Sequence, residues 1–285
     1  MRAETSRSKE PALEEILRAW GLLRVPFTPD EKSHETFCGE NIREALLQLD
    51  TTAALRGVMV LSGSPGTGKS TLLKTWMCGL EPKRYRPLII TQSSLSASGV
   101  LEILLSKLGE RPRFKRSGNL LALDKHLTGI EPVTLVLAID DAQNFSAPAL
   151  EELRLLLGLG GRQRSAFALI LLGDDYLLGS LKLSVQRALF SRISSVQQLH
   201  PLPREEIAPY LNWHVHRAGL SRDIFAPAAI ALLAEASDGN LRTLDLLAQS
   251  SWLAAARSGV SEIEPSHIHA ALRQVPAATA KITSP

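Results

Sequence analysis

The sequence predicts an α/β protein: a parallel sheet covered by helices on both faces, followed by a small all-helical domain. Three observations carry this. Short apolar stretches alternate with segments of helical periodicity between residues 57 and 202. The first stretch, "GVMVLSG", runs through a glycine-rich turn directly into a helical pattern, the order of a strand–loop–helix unit. After Pro203 strand patterns stop, and helical ones separated by glycine or proline continue to residue 276.

Taken in order, "PALEEILRAWGLL" sets Leu13, Ile16, Leu17 and Trp20 at helical spacing before Gly21. "VPFTPDE" is extended and punctuated by proline. "GENIREALLQLDTTAAL" is helical, with Ile42, Ala45, Leu46 and Leu49 on one face. The strand at 57–63 leads to a helix from Lys69 to Leu80. "RPLIITQ" (86–92) is a second strand, "SASGVLEILLSKLG" (96–109) a helix, "ERPRFKRSGN" (110–119) a loop and "LLALDKHLTG" a helix. "VTLVLAIDD" (133–141) is the third strand. Ser146 is the N-cap candidate of the next helix, with Pro148 in its first turn. "AFALILLGDD" (166–175) is the fourth strand and "SSVQQLHPL" (194–202) a short fifth. The expected division is an N-terminal tail and helix at 1–20, the α/β domain at 21–202, a helical domain at 203–276 and a flexible tail at 277–285.

Composition narrows the class. With 45% hydrophobic and 21% charged residues in 285, the chain can bury a sizeable core without staples. Cys38 and Cys78 are far apart and lack ligand spacing, which argues against a disulfide framework or a zinc site. The polar N-terminus has no apolar signal region, and runs such as "AFALILL" are too short to span a bilayer, so a cytoplasmic protein is expected. His214, His216, His267 and His269 have no acid or cysteine at fitting offsets and read as packing or surface residues. Trp213 and Trp252 fall on helical stripes and read as core. A net charge of +3 permits nucleic-acid binding without demonstrating it.

The chemistry lies in "GSPGTGKST", residues 63–71, which fits G-x-x-x-x-G-K-[ST]. Gly63, Ser64, Pro65, Gly66, Thr67 and Gly68 would wrap backbone N–H groups around a phosphate. Lys69 would add a point charge toward the β- and γ-phosphates, Ser70 a hydroxyl for Mg²⁺, and Thr71 continues the helix start. This implies ATP and Mg²⁺. Such a site needs an acidic strand end beside it. In "LVLAIDDAQ", Asp140 would hold Mg²⁺ and Asp141 would orient or deprotonate the attacking water. "LILLGDD" ends a further strand in Asp174, a candidate sensor of the γ-phosphate.

The order "GLLRVPF", "GSPGTGKS", "LAIDDAQNF", "LILLGDD", "LFSRI…LHPL" and "SDGNLRTLDLLAQSS" resembles AAA+ ATPases of the ExeA-like group, close to transposition-regulator ATPases such as TnsC, TniB and MuB. It covers about residues 20–275. The resemblance implies a three-layer P-loop fold in which the Asp174 strand lies between those of the loop and the acidic pair. It implies that Arg192 in "LFSRI" is an arginine finger reaching a neighbouring copy, with Arg187 as competitor, and that Arg242 in "GNLR" is a nucleotide-contacting residue of a lid helix. Pro26 and Phe27 match a linker near the adenine. The second acid in such proteins is usually Glu. Asp141 is one methylene shorter, so slow hydrolysis is expected.

"RPRFKR" (111–116) sets Arg111, Arg113, Lys115 and Arg116 around Phe114, a candidate contact to double-stranded DNA through phosphates. "EPKRYRP" (81–87) and "GRQR" (161–164) are secondary basic clusters that read as solvated. The resulting expectation is an ATP-dependent DNA-binding regulator of transposition. It would oligomerise as a ring or filament on duplex DNA and recruit or activate a transposase or related recombination protein. The alternatives are an ExeA-type ATPase assisting secretion-machinery assembly, and a nucleotide-dependent scaffold. A secretion version would normally carry a membrane segment and a wall-binding region; their absence here favours the transposition reading.

Overall fold

The computed structural model describes residues 12–28, 35–92, 95–161 and 164–275. The expected terminal tail at 277–285 and Arg162 of the "GRQR" cluster lie outside them. The described chain forms two compact units, one of residues 35–200 and one of residues 12–28 with 201–275.

The chain begins with α1 (Leu13–Trp20), which belongs to the helical unit and ends at Gly21 in the left-handed region, φ 74°. The α/β unit then runs α2 (Glu40–Leu55), β1 (Val58–Ser62), α3 (Lys69–Cys78), β2 (Tyr85–Ile90), α4 (Ala97–Lys107), α5 (Arg116–Gly129), β3 (Thr134–Ile139), α6 (Ala147–Leu157), β4 (Ala168–Leu172), α7 (Asp175–Leu181), α8 (Arg187–Phe190) and β5 (Ile193–Gln198). Strand order is β2-β3-β4-β1-β5, every pair parallel. β4 therefore lies between β1 and β3, as the resemblance implied. This is an α/β P-loop NTPase fold.

The alternating pleat explains why the central strands are apolar throughout. Val58 and Val60 face one core with helices α4 to α8, which contribute Leu101, Leu104, Leu123, Leu153, Leu177 and Leu189. Met59 and Leu61 face the other, with Leu49 of α2 and Leu72, Leu73 and Met77 of α3. Every residue of β1, β3 and β4 is buried, whereas β5 alternates and is the polar edge. Ser146 caps α6 as expected, accepting from Ala149 N–H.

Two boundaries differ from the sequence reading. The loop expected at 110–119 ends early, because α5 starts at Arg116. Asn119 is buried and ties that start down, its Oδ1 accepting from Arg113 N–H and its Nδ2 donating to the Arg113 carbonyl. The segment at 21–28, expected with the α/β domain, packs in the helical unit. Leu23 N–H donates to Ala218 O at 2.8 Å, and Phe27 is buried against His214 and Phe225.

The helical unit continues with α9 (Arg204–Arg217), α10 (Pro227–Ser237), α11 (Leu241–Arg257) and α12 (Pro265–Leu272). Trp252 is buried against Trp20, as the helical stripe predicted; Trp213 is only half-buried and stacks under the Arg217 guanidinium. No helix among the described residues is long and apolar enough to cross a membrane.

Candidate functional site

The parallel strands bring their C-terminal ends to one edge of the sheet, and the predicted motifs meet there. β1 delivers the glycine-rich loop. Leu199 N–H donates to Ser62 O at 2.8 Å, so the backbone after β5 lies against the loop's start. Gly63 makes this possible: its φ is 149°, and a Cβ there would stand 2.3 Å from the Leu199 carbonyl oxygen. Thr67 closes the loop, its hydroxyl donating to Ser64 O at 2.9 Å. Gly68, at φ 90°, is the N-cap of α3, so the helix and its positive dipole end begin at Lys69.

Lys69 folds back along the loop, its ammonium donating to the carbonyls of Gly63 and Ser64. Burial lowers its pKa, and the charges of Asp175, Asp140, Asp174 and Asp141 oppose that shift, Asp175 most strongly. The acids thus form a shared electrostatic environment around one lysine.

Asp140 follows β3 and extends its pairing, its N–H donating to Ile90 O at 2.9 Å. Ser70 Oγ donates to Asp140 Oδ1 at 3.2 Å. That bond joins the two motifs. Asp141 is exposed and adopts the left-handed region, φ 53°. Its N–H donates to Asp140 Oδ1 at 3.1 Å, and its Oδ1 accepts from Gln143 Nε2 at 3.2 Å.

Asp174 is the N-cap of α7, accepting from Tyr176 N–H at 3.0 Å. Its neighbour Asp175, which the sequence reading passed over, is the acid bonded to the phosphate loop. Ser64 Oγ donates to Asp175 Oδ2 at 3.0 Å and Gln198 Nε2 donates to Asp175 Oδ1 at 3.1 Å. The doublet "GDD" carried the signal for an acid here, but which of the two faces the loop depends on the cap geometry.

The residues fit a nucleotide with Mg²⁺. A hydroxyl and a carboxylate oxygen lie 3.2 Å apart, oxygen ligands of the kind Mg²⁺ takes together with waters and phosphates. Pro65, Gly66 and Thr71 complete the loop and the start of α3, with Pro65 and Thr71 exposed.

The remaining candidates belong to other elements. Arg192 is exposed between α8 and β5, and its charge helps hold the Glu151 carboxyl of α6 low, after the larger effect of Arg154. Arg187 begins α8. Arg242 is exposed in the first turn of α11, in the helical unit. In the basic loop, Arg111, Phe114 and Lys115 are exposed, Phe114 completely. Arg113 donates its guanidinium to Gly118 O at 2.7 Å. Arg116 pairs with both carboxylate oxygens of buried Glu152, at 2.9 and 3.1 Å.

Comparison with known proteins agrees with this geometry. Residues 51–181 match the family described as the AAA domain. Over 265 residues the chain is 28% identical to general secretion pathway protein A of Aeromonas hydrophila, covering 90% of this chain and 48% of that one. The chain thus spans about half the length of that curated relative. Among solved structures it is similar to Cdc6p from Pyrobaculum aerophilum (TM-score 0.68, 21% identity, 91% of this chain and 73% of that one). It is similar to the Aeropyrum pernix ORC1 protein in complex with DNA (TM-score 0.64, 15% identity, 87% and 68%). A third is the Thermotoga maritima RuvB Holliday junction branch migration motor (TM-score 0.58, 17% identity, 87% and 73%). Fold, site and these matches together support an AAA+ ATPase.

Proposed function

We propose that the chain is a nucleotide switch: it binds ATP with Mg²⁺, hydrolyses it slowly, and in the ATP state self-associates on duplex DNA to regulate transposition by recruiting or activating a transposase. The observation that carries the nucleotide part is the convergence of Lys69, Ser70, Asp140 and Asp141 beyond the ends of β1 and β3, on either side of β4, joined by the Ser70–Asp140 bond. In this reading the loop N–H groups and Lys69 hold the phosphates, Ser70 and Asp140 hold Mg²⁺, and Asp141 takes the proton of the attacking water. Bound Mg²⁺ supplies charge neutralisation on the phosphate oxygens. Asp174 senses the γ-phosphate. Arg192 of one copy reaches the site of the next, and Arg242 reads the nucleotide from the helical unit.

Exposed Arg111, Phe114 and Lys115 support the DNA part, as sequence-independent phosphate contacts beside an uncovered aromatic ring. The similarity in fold to the ORC1 protein in complex with DNA and to the RuvB Holliday junction branch migration motor fits that role. A second reading, assistance in assembling a secretion machinery, is favoured by the similarity to general secretion pathway protein A. Binding of a fluorescent 40-mer duplex as salt is raised, with ATP, with ADP and without nucleotide, separates them. The DNA reading expects ATP-dependent binding that weakens steeply between about 50 and 200 mM salt. Absence of binding at low salt with ATP rejects it and leaves the secretion reading.

A further inference from the structure

We infer that Gln143 is a positioning residue for hydrolysis: it holds Asp141 where a longer acid would stand unaided. The inference rests on the hydrolytic reading above and concerns the two strand ends beyond Asp140.

Asp141 is too short to reach as far as glutamate, and it is exposed on a turn, where a free carboxylate would sample several rotamers. Its backbone conformation and two hydrogen bonds restrain it. Its backbone is held in the left-handed region at φ 53°. Its N–H is tied to Asp140 Oδ1 at 3.1 Å. Its carboxylate accepts the Gln143 amide at 3.2 Å. The first two set the backbone; among the described residues the third alone acts on the carboxylate.

Gln143 is itself confined. It lies in the short helical turn Ala142–Asn144, after buried Ala142. Its carboxamide sits between the ends of β3 and β4, because a Cβ on Gly173 would stand 2.7 Å from Gln143 Oε1 and 2.6 Å from Leu177 Cδ2. Gly173 thus leaves the space that the carboxamide uses. Gln143 Oε1 is buried and has no hydrogen-bond partner among the described residues. A buried carbonyl without a donor is unfavourable, and a leucine of similar size would avoid it. An amide stands there despite that cost, and among the described residues its hydrogen bond goes to Asp141. With the carboxylate fixed, a water approaching the γ-phosphorus meets an oriented acceptor. The water oxygen bonds phosphorus, the bond to the ADP oxygen breaks, and the water's proton passes to Asp141.

The test is a double-mutant cycle. Single-turnover ATP hydrolysis and nucleotide Kd are measured for Gln143→Leu and Gln143→Glu, each in the wild-type and the Asp141→Glu backgrounds. Gln143→Glu keeps the shape but removes the donor. Both substitutions are expected to lower the wild-type rate roughly 10- to 100-fold, and for the neutral Gln143→Leu, which adds no charge beside Asp141, Kd stays within about 2-fold and melting within about 3 °C of wild type. Asp141→Glu alone is expected to raise the rate, and in that background the loss on removing Gln143 shrinks to about 3-fold or less. An unchanged wild-type rate, equal losses in both backgrounds, or a parallel loss of nucleotide affinity overturns the inference. Turnover absent from both wild type and Asp141→Glu overturns the hydrolytic reading with it. Turnover that is indifferent to Gln143 overturns this inference alone.

Discussion

At the scale of single residues, the site divides its charges by what each can afford to lose. Among the described residues, Lys69 is the cation whose charge is opposed by burial and supported by four aspartates. Phosphate oxygens would take over the role its loop carbonyls now play. Lys69→Ala is therefore expected to weaken ATP roughly 10- to 100-fold or more, measured as Kd for a fluorescent analogue, with the melting temperature largely kept. The basic loop divides differently. Arg116 neutralises Glu152, which is 4% exposed, so Arg116→Ala leaves a buried carboxylate unpaired. It is expected to cost about 1–3 kcal/mol in denaturant unfolding, reduced from a fully buried pair because Arg116 is half-exposed. Arg111→Ala and Lys115→Ala remove exposed charges and are expected to leave stability within about 0.5 kcal/mol while weakening DNA binding and its salt slope.

At the scale of elements, two features of the fold set limits. The first turn of the phosphate loop has no room for a side chain, since a Cβ on Gly63 meets backbone rather than a movable side chain. Gly63→Ala is expected to lose nucleotide binding and to lower the melting temperature. In the helical unit, α9 and α11 bury a polar group of Tyr210, His214 and Asp245. Tyr210 donates to Asp245 Oδ1 at 2.8 Å, and His214 Nε2 lies 3.9 Å from the same oxygen. Burial pushes Asp245 up to about 7, the Tyr210 bond opposing this. Burial, then the charges of Arg217 and Arg24, pushes His214 down to about 3. The two act oppositely on stability. Between about pH 4 and 7 the folded state holds a proton on Asp245 that the unfolded state releases, so stability falls as pH rises. Between about pH 3 and 6.5 the unfolded state holds a proton on His214 that the folded state lacks, so stability rises. Across their common window the slopes offset. Asp245→Asn removes only the first. Relative to the wild type, its stability in urea unfolding is expected to rise more steeply with pH from about 4 to 6.5, by as much as about 1.4 kcal/mol per pH unit.

At the scale of the whole molecule, the proposed switch makes assembly and nucleotide state one measurement. Size-exclusion chromatography with light scattering is expected to show larger species with ATP and duplex than with ADP, and Arg192→Ala is expected to reduce them while leaving ATP affinity nearly unchanged. A variant that assembles normally removes Arg192 from the proposed role. Much of the fold was legible because parallel strands buried on both faces leave long apolar runs, as in β1, β3 and β4. The edge strand β5 was harder, since only alternate residues are covered. The short helices α7 and α8 carried too little periodicity to be read.

The sequence by itself determined the glycine-rich loop between β1 and α3 and the apolar strand that ends before Asp140, because such a loop needs particular residues at fixed spacing and a strand buried on both faces reads as one apolar run; the place of β4 between β1 and β3 followed from the family resemblance. Tertiary structure decided what those residues do to one another. It chose Asp175 over Asp174 as the partner of Ser64, since the first acid caps α7 and the second turns toward the loop. It tied Arg116 to Glu152 across 36 residues. It placed the Gln143 amide on Asp141 and the ends of two strands around that carboxamide. These depend on side-chain direction at helix starts and on the close approach of strand ends, which no local pattern encodes.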